Sequence, residues 1–237
     1  MIAVLLVGAV GVPAFVYFYD APTCFDGMMN GNERGIDCGG SCERLCSSSF
    51  LPASVAWTRF EEVAPKLYNI AAYVVNPNTD GEAKNVPYHI ALYDRDGLLI
   101  MDFPGSMTLP PHRNTLAFKG AVSTGERIPA KVFFEFTGIP DWRKQSDTLA
   151  SLQVLDKKYS ETENSASLLV GLRNSGLIPI GRIAVYVVLY DKDGNSIGFS
   201  KTVVDGIAPR SNVLAPFTWP VNRNGRVISI EVLPVAE

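Results

Sequence analysis

The chain has 237 residues, a formal net charge of −3 and four cysteines. This length leaves room for two domains of about 100 residues each and one smaller segment. Because the net charge is negative, the chain has no excess of basic side chains to attract DNA or RNA, which argues against a nucleic-acid partner. Sixteen prolines and twenty glycines favour strands and turns, and only two histidines are present for acid–base or metal chemistry.

The first predicted element is a membrane-spanning helix. Residues Ile2 to Tyr19 contain no charged side chain, and eighteen helical residues span roughly 27 Å, enough for the hydrocarbon layer. A cleaved signal peptide is disfavoured because Tyr19 would place a bulky residue at the −3 position. We therefore predict that residues 1–20 form a transmembrane anchor in the lipid bilayer, with a cytoplasmic N-terminus and the remaining chain outside the cytoplasm.

The prediction of a transmembrane anchor leads to one further expectation, which concerns the start of the sequence. No lysine or arginine precedes the apolar stretch, so the positive-inside rule has little to act on. We expect that some basic residues lie upstream of Met1.

A cysteine-rich segment, residues 21–50, follows the predicted anchor. It holds all four cysteines of the chain, which are Cys24, Cys38, Cys42 and Cys46. An even, clustered set after an apolar leader predicts disulfides formed in an oxidising compartment. Four cysteines allow three pairings, and the sequence does not choose among them.

The spacing C-x-D-G-x-x-N-x-x-E-x-G-x-D-C-G-G-x-C within this segment resembles a short cysteine motif of bacterial surface proteins. Its oxygen-bearing residues also bear a faint similarity to calcium-binding Notch-type repeats, which implies a calcium site. The candidate ligands are Asp26, Asn30, Glu33 and Asp37. The competing interpretation is that these residues form turns in a loop that is cross-linked by disulfides. Zinc is disfavoured because the cysteine gaps do not match a zinc ribbon.

The organising feature of the remaining chain is a hairpin that occurs twice. The sequence VPYHIALYDRDGLLI starts at Val86, and IAVYVVLYDKDGNSIG starts at Ile183. Alternation predicts that one face of each strand points into a core, and each copy then turns through Asp-x-Asp-Gly, which tolerates positive φ. The predicted core residues are Tyr88, Ile90 and Leu92 in the first copy and Val185, Val187 and Leu189 in the second.

Matching landmarks extend the repeat over two whole modules. Asn174 lies 98 residues after Asn76, and Asp191 lies 97 residues after Asp94. A near-constant offset across several strands indicates duplication. We predict an all-β protein with a first sandwich at residues 51–146 and a second at residues 147–237. Each sandwich has six or seven short strands, and Phe136–Ser146 forms the joint between them.

The strand-end Asn-Pro-Asn at Asn76, the Leu-Tyr-Asp at Leu92 and the Pro-Pro-x-x-Asn at Pro110 resemble FxLYD-type bacterial domains. They are also similar to the sandwich domain of late-embryogenesis-abundant proteins. These resemblances imply tandem immunoglobulin-like or fibronectin-like antiparallel β-sandwiches. They imply no catalytic residues, because these families share none.

Both hairpin copies carry a second apolar stripe opposite the predicted core. The outward positions are His89, Ala91 and Tyr93 in the first copy and Tyr186, Val188 and Tyr190 in the second. Two apolar faces on one sheet indicate cover by a neighbouring element or a binding surface. We expect cover from within the chain, either by a neighbouring segment or by the other module, and partner docking is the second interpretation.

The sequence offers no catalytic constellation. The paired aspartates of the two hairpin turns fit turn formation better than calcium ligation, and neither His89 nor His112 has a recognisable nucleophile context. The sequence therefore predicts a non-enzymatic scaffold, spacer or adhesion protein of the cell envelope whose partners are other envelope proteins. The alternative is an accessory or sensor protein that binds calcium or a small ligand. An envelope hydrolase with a sugar cleft is the least supported hypothesis.

Overall fold

The computed structural model describes residues 21–145 and 147–237. The chain divides into two compact units, Met1–Ser49 and Phe50–Glu237. The predicted anchor, residues 1–20, lies outside the described residues. Across the part that is described, no helix combines the length and the apolar character needed to cross a membrane.

The second unit, Phe50–Glu237, is built from antiparallel strands. Alternating apolar residues with many β-branched and aromatic side chains account for this choice of secondary structure. The strands are β1 (Ser54–Ala64), β2 (Leu67–Val75), β3 (Gly81–Tyr93), β4 (Leu99–Leu109), β5 (Thr115–Ser123), β6 (Lys131–Phe136), β7 (Trp142–Lys144), β8 (Leu152–Glu161), β9 (Ala166–Asn174), β10 (Ile183–Tyr190), β11 (Ser196–Val204), β12 (Asn212–Trp219) and β13 (Ser229–Ala236).

These strands form four sheets, two in each module. The first module contains the sheets β1-β2-β5 and β4-β3-β6, with β7 also paired to β3. The second module repeats this order as β8-β9-β12 and β11-β10-β13. The prediction of an all-β, sandwich-like fold is therefore confirmed.

The predicted alternation places the core residues correctly. Ile90 and Leu92 in the first hairpin, and Val185, Val187 and Leu189 in the second, have no exposed surface. In the second module they join apolar side chains from β9 and β12 in one cluster. Facing sheets that share such a cluster are the usual way for half-apolar strands to exclude water.

The duplication is also present in the strand register. Ala91 of β3 pairs with Asp102 of β4 and with Phe133 of β6. At the equivalent place in the second module, Val188 pairs with Phe199 and with Glu231. The central strands of the two modules, β3 and β10, therefore have equivalent neighbours in their sheets.

Both Asp-x-Asp-Gly segments form the predicted turns. Asp94 accepts hydrogen bonds from the backbone N–H groups of Asp96 and Leu98 through its side-chain oxygen, at 3.1 and 2.9 Å. Asp191 does the same for Asp193 and Asn195, at 3.0 and 2.8 Å. The first aspartate of each motif thus acts as a backbone acceptor, as expected for a turn.

The segment predicted to be a joint, Phe136–Ser146, is partly a strand. β7 pairs with the first residues of β3, from Gly81 to Ala83, and Trp142 is 2% exposed. A buried indole stabilises this short pairing, and the ring of Phe50 lies 5.4 Å from it, centroid to centroid. This stretch leads from the first module towards the second and also adds a short strand to the first module.

Candidate functional site

The cysteine-rich segment contains two disulfides. Cys24 is bonded to Cys42, and Cys38 is bonded to Cys46. No free cysteine remains among the described residues, so a cysteine nucleophile is not available there. The prediction of disulfides is confirmed, and the structure selects one of the three possible pairings.

The four predicted calcium ligands lie together in this segment, where the carboxylates of Asp26, Glu33 and Asp37 accept hydrogen bonds from backbone N–H groups. Asp26 accepts hydrogen bonds from the N–H groups of Thr23 and Met28, at 2.9 and 3.0 Å. A hydrogen bond from the Asn30 side-chain amide, together with these two backbone bonds, lowers the pKa of Asp26.

Asp37 and Glu33 act in the same way. Asp37 accepts the N–H of Gly27 at 3.0 Å, and Glu33 accepts the N–H groups of Asn30 and Asp37 at 3.3 and 3.2 Å. Hydrogen bonds of this kind explain these residues as loop-closing acceptors without a metal.

Glu33 and the Cys24–Cys42 disulfide also form a close group of potential ligand atoms. The two sulfurs are bonded to each other, so neither is a thiolate. Because thiolate is the form of cysteine that binds metals, this group is not suited to hold a metal ion.

The two histidines lie in separate places. His89 is on the outer face of β3, with its Nδ1 atom 3.4 Å from a carboxylate oxygen of Asp102. His112 lies in the turn between β4 and β5 and has a φ of 57°. Within residues 21–145 and 147–237, neither imidazole contacts a serine or cysteine that could serve as a nucleophile.

The second unit also contains a contact between its two modules. The sheet β11-β10-β13 packs its outer face against the outer face of β1-β2-β5. The buried members of this cluster are Ala71, Tyr73 and Leu116 from the first module and Val188, Phe199 and Leu233 from the second. The Phe199 ring lies between Trp57 and Phe118, at centroid distances of 6.2 and 6.3 Å. The predicted cover of one module by the other is present for the second hairpin.

A buried ion pair crosses this contact. The Glu61 carboxylate in β1 binds the Arg223 guanidinium in the loop between β12 and β13, with side-chain exposures of 9% and 6%. The second oxygen of Glu61 accepts the backbone N–H of Phe199 at 3.3 Å. Burial raises the pKa of Glu61, and the Arg223 charge opposes that effect.

A tyrosine–glutamate network forms a second polar link. The Tyr73 hydroxyl in the first module donates to Glu231 in the second at 2.8 Å, and the Tyr190 hydroxyl donates to the other oxygen of Glu231 at 2.8 Å. The Asn114 amide donates to the Tyr73 oxygen at 2.9 Å. Burial and the bond to Glu231 raise the pKa of Tyr73 to about 12. The two modules are therefore joined by apolar packing and by directed hydrogen bonds.

The equivalent outer face in the first module remains open. Phe133 is 45% exposed and Leu99 is 49% exposed on this face. A cavity of about 600 Å³ lies at its end, lined by Tyr93, Lys131 and Phe133 together with the Asp94–Gly97 turn. The two apolar stripes predicted from the sequence thus have different environments, one covered and one accessible.

The sequence did not identify the polar residues of the inter-module contact. Glu61, Arg223 and Glu231 stand in no local motif, and Arg223 lies 162 positions from its partner. Only a weak sequence pattern marks them. Glu61 is an acidic residue within a strand that contains both polar and apolar side chains, and Glu231 is an acidic residue in an otherwise mostly apolar last strand.

Comparison with known proteins assigns no family. No protein-family model matches the chain, and no curated protein matches its sequence. A search of solved structures returns a β-glucuronidase of glycoside hydrolase family 2 with 12% identity and a TM-score of 0.25, covering 72% of this chain and 24% of that one. A Bacteroides uniformis β-glucuronidase 2 has 10% identity and a TM-score of 0.21, covering 72% of this chain and 26% of that one. This chain therefore spans about a quarter of the length of those enzymes.

A third similarity is to the tandem CBM22 domains of Paenibacillus barcinonensis Xyn10C. It has 6% identity and a TM-score of 0.16, and it covers 81% of this chain and 92% of that one. At TM-scores this low, none of these similarities supports an argument about function.

Proposed function

We propose that this chain is a non-catalytic structural and binding protein of the cell envelope, anchored by residues 1–20 with its sandwiches outside the cytoplasm. It would act as a scaffold, spacer or adhesion module for neighbouring envelope proteins. The disulfides of the cysteine-rich segment support an oxidising location. The observation that carries the proposal is the contact between the modules, because it joins two small domains into one unit of defined geometry.

The structure of this contact suits a spacer. Flexibly linked domains usually share polar, modest interfaces and move relative to each other. Here Phe199 and Val188 are 1% and 0% exposed, and the Glu61–Arg223 pair is almost completely buried. Separating the modules would expose these apolar groups and leave the charges to be solvated. The unit can therefore transmit position or force between its two ends.

The finer fold proposal is that each module is immunoglobulin-like or fibronectin-like. Sheets ordered β1-β2-β5 and β4-β3-β6 resemble such a sandwich, in which the second and third strands belong to opposite sheets. Sandwiches of this kind occur widely as spacers and adhesion modules, although a fold alone does not define a function.

The location and the scaffold role can be tested on the full chain in the membranes of expressing cells. We expect it to stay with the membrane after alkaline carbonate extraction and to be cleaved by protease added outside intact cells. Release into the soluble fraction, or protection from external protease, would contradict the proposed location.

The scaffold role predicts that neighbouring envelope proteins cross-link to the chain only when the contact between the two modules is intact. A Glu61→Ala, Arg223→Ala variant should lose these cross-links, whereas Glu126→Ala, which removes an exposed ion pair with Lys66, should retain them. Turnover of a substrate at a defined pocket would replace the scaffold role with an enzymatic one.

The second candidate function is binding of calcium or a small ligand by the cysteine-rich segment. One observation favours it: the Oδ1 atom of Asn30 is buried and has no hydrogen-bond partner among the described residues. Calorimetric titration of the oxidised full chain with calcium tests this function, with Asn30→Ser as the variant. Absence of heat and of any shift in the melting temperature would remove it.

A further inference from the structure

The duplication leaves one sheet face without a partner at each end of the two-module unit. We call the outer face of β4-β3-β6 the amino-terminal open face; its side chains include His89, Tyr93, Asp102, Phe133 and Glu135. We call the outer face of β8-β9-β12 the carboxy-terminal open face; its side chains include Lys158, Leu169, Arg173, Leu214 and Pro216. Each face is the structural equivalent of one side of the contact that joins the modules.

The equivalence follows from the strand pairing. Phe199, which enters the inter-module contact, pairs with Val188, and its counterpart Asp102 pairs with Ala91. On the receiving side, Ala71 pairs with Phe118, and its counterpart Leu169 pairs with Pro216. The backbone surfaces that pack inside the chain are therefore present a second time at its two ends.

Both open faces expose apolar side chains. On the amino-terminal open face Phe133 is 45% exposed, and on the carboxy-terminal open face Leu214 is 58% exposed. Apolar surface of this kind on a repeated sheet face is typical of an interaction site.

Some positions that are apolar in the internal contact are charged on the open faces. The charges are acidic on the amino-terminal open face and basic on the carboxy-terminal open face. Where the internal contact has Phe199 and Leu233, the amino-terminal open face has Asp102 and Glu135, both exposed.

On the receiving side, Val75 of the internal contact corresponds to Arg173 on the carboxy-terminal open face. Arg173 is exposed, and so is Lys158, which pairs with Leu169 further along β9 and has its Nζ atom 3.4 Å from a carboxylate oxygen of Asp156.

Lys131 also lies on the amino-terminal open face, and Asp156 lies beside Gly171 on the carboxy-terminal open face. The first face thus has an excess of acidic side chains around its apolar residues, and the second has an excess of basic ones. Complementary charges of this kind set the specificity and register of an interface.

We propose that a second copy of this chain occupies these faces, with the amino-terminal open face of one copy packed on the carboxy-terminal open face of the next. The contact reproduces the internal geometry and replaces part of its apolar core with charge pairs. Because the two faces differ, it is a heterologous contact, which continues as an open chain of copies unless the rotation closes a ring. The proposal does not depend on the cellular location argued above.

The test uses the full chain in detergent, analysed by sedimentation velocity over a concentration series at low and high ionic strength. The wild type should show species larger than one copy at low salt, and these should decline as salt screens the charge pairs. Asp102→Lys with Glu135→Lys, and separately Lys158→Glu with Arg173→Glu, should each weaken association by roughly tenfold or more, because like charges then face each other.

Mixing the two charge-reversed variants distinguishes a contact between the two different open faces from a contact of one open face with its own copy. The two reversed variants, each of which associates more weakly than the wild type when alone, should regain association when mixed, since each then offers the charge that the other lacks. For Asp102→Lys with Glu135→Lys, the matched control is Glu126→Lys with Glu163→Lys, which makes the same change in net charge outside both faces and should associate like the wild type. Unchanged melting curves of all variants will show that they fold.

Three results would overturn the proposal: a wild type that remains a single copy at every concentration, reversed variants that associate like the wild type, or a mixture that associates no more than each reversed variant does alone. The last result would indicate a contact in which one face binds its own copy, or no contact through these faces.

Discussion

Glu61 of the first sandwich and Arg223 of the second form an ion pair that is buried on both sides, with side-chain exposures of 9% and 6%. A buried pair contributes little net free energy because desolvation offsets its attraction, whereas removal of one partner leaves an uncompensated charge. We expect Glu61→Ala to lower the free energy of unfolding by about 3–5 kcal/mol, measured by urea denaturation.

An exposed ion pair in the same module provides the control. Lys66 and Glu126 have side-chain exposures of 54% and 90%, so Glu126→Ala should cost no more than about 1 kcal/mol. Equal effects of the two substitutions would show that the Glu61–Arg223 pair is solvated in solution.

Phe199 and Asp102 occupy equivalent positions in the two modules but have different surroundings. Phe199 is 1% exposed and packs between Trp57 and Phe118. Truncating a buried phenylalanine removes its transfer free energy and leaves a cavity, so Phe199→Ala should destabilise the chain by about 3–5 kcal/mol. Asp102→Ala, at an exposed site, should change stability by no more than about 0.5 kcal/mol. Thermal and urea unfolding of both variants give the comparison; a mild effect at Phe199 would mean that the modules separate easily.

The hydrogen bonds of Tyr73 predict a pH dependence at alkaline pH. Burial and Glu231 raise the pKa of Tyr73 to about 12 in the folded chain, while an unfolded tyrosine has a pKa of about 10. The folded state therefore keeps this proton longer, and the stabilisation it provides is complete below about pH 10 and is lost as the pH rises through the folded value.

The matched variant for this effect is Tyr73→Phe, which removes the hydroxyl and keeps the ring. Wild type should exceed Tyr73→Phe in unfolding free energy by about 1–2 kcal/mol at pH 8. The difference should shrink between about pH 10 and pH 12, as seen in urea titrations at several pH values. If the difference in unfolding free energy between wild type and Tyr73→Phe stays constant up to about pH 12, the Tyr73 hydroxyl has the same pKa in the folded and unfolded chain and is therefore exposed to water.

The sequence predicted the strands and the duplication because both depend on local alternation. Apolar residues at every second position fix which side of a strand faces the core, and Ile90 and Val187 are buried accordingly. The Asp-Gly turns depend on four adjacent residues, so their geometry also follows from the sequence.

The identity of the covered hairpin could not be predicted from the hairpin strands themselves. His89, Ala91 and Tyr93 alternate in the same way as Tyr186, Val188 and Tyr190, and the difference lies in the strands that pair with them. Asp102 and Phe199 take the same position in β4 and β11, but Phe199 is buried in the inter-module contact and Asp102 is exposed. The pairing of Glu61 with Arg223 depends on how two modules dock, which no local pattern encodes.

The cysteine-rich segment should depend on its disulfides, unlike the sandwich unit. Its residues lack an extensive apolar core, and small segments of this kind require covalent links to stay folded. The Cys24–Cys42 and Cys38–Cys46 bonds close loops with sequence separations of 18 and 8. Reduction of the full chain should abolish amide-exchange protection at residues 21–49 and preserve it in strands β2 and β9. Mass-spectrometric hydrogen exchange with and without reductant measures both regions, and persistent protection of the cysteine-rich segment would refute its dependence on disulfides.

The two hairpin turns should respond equally to loss of glycine. Gly97 and Gly194 have φ values of 77° and 76°, and a Cβ atom at either position would meet no other atom within 4 Å. The cost of alanine is therefore backbone strain alone, about 1 kcal/mol in each turn. Gly181, which also has open space but no positive φ, is the control, and Gly181→Ala should leave the urea midpoint unchanged or raise it slightly. If Gly97→Ala and Gly194→Ala behaved like Gly181→Ala, the turns would not hold the left-handed conformation; if they differed strongly from each other, the two hairpins would not be equivalent in energy.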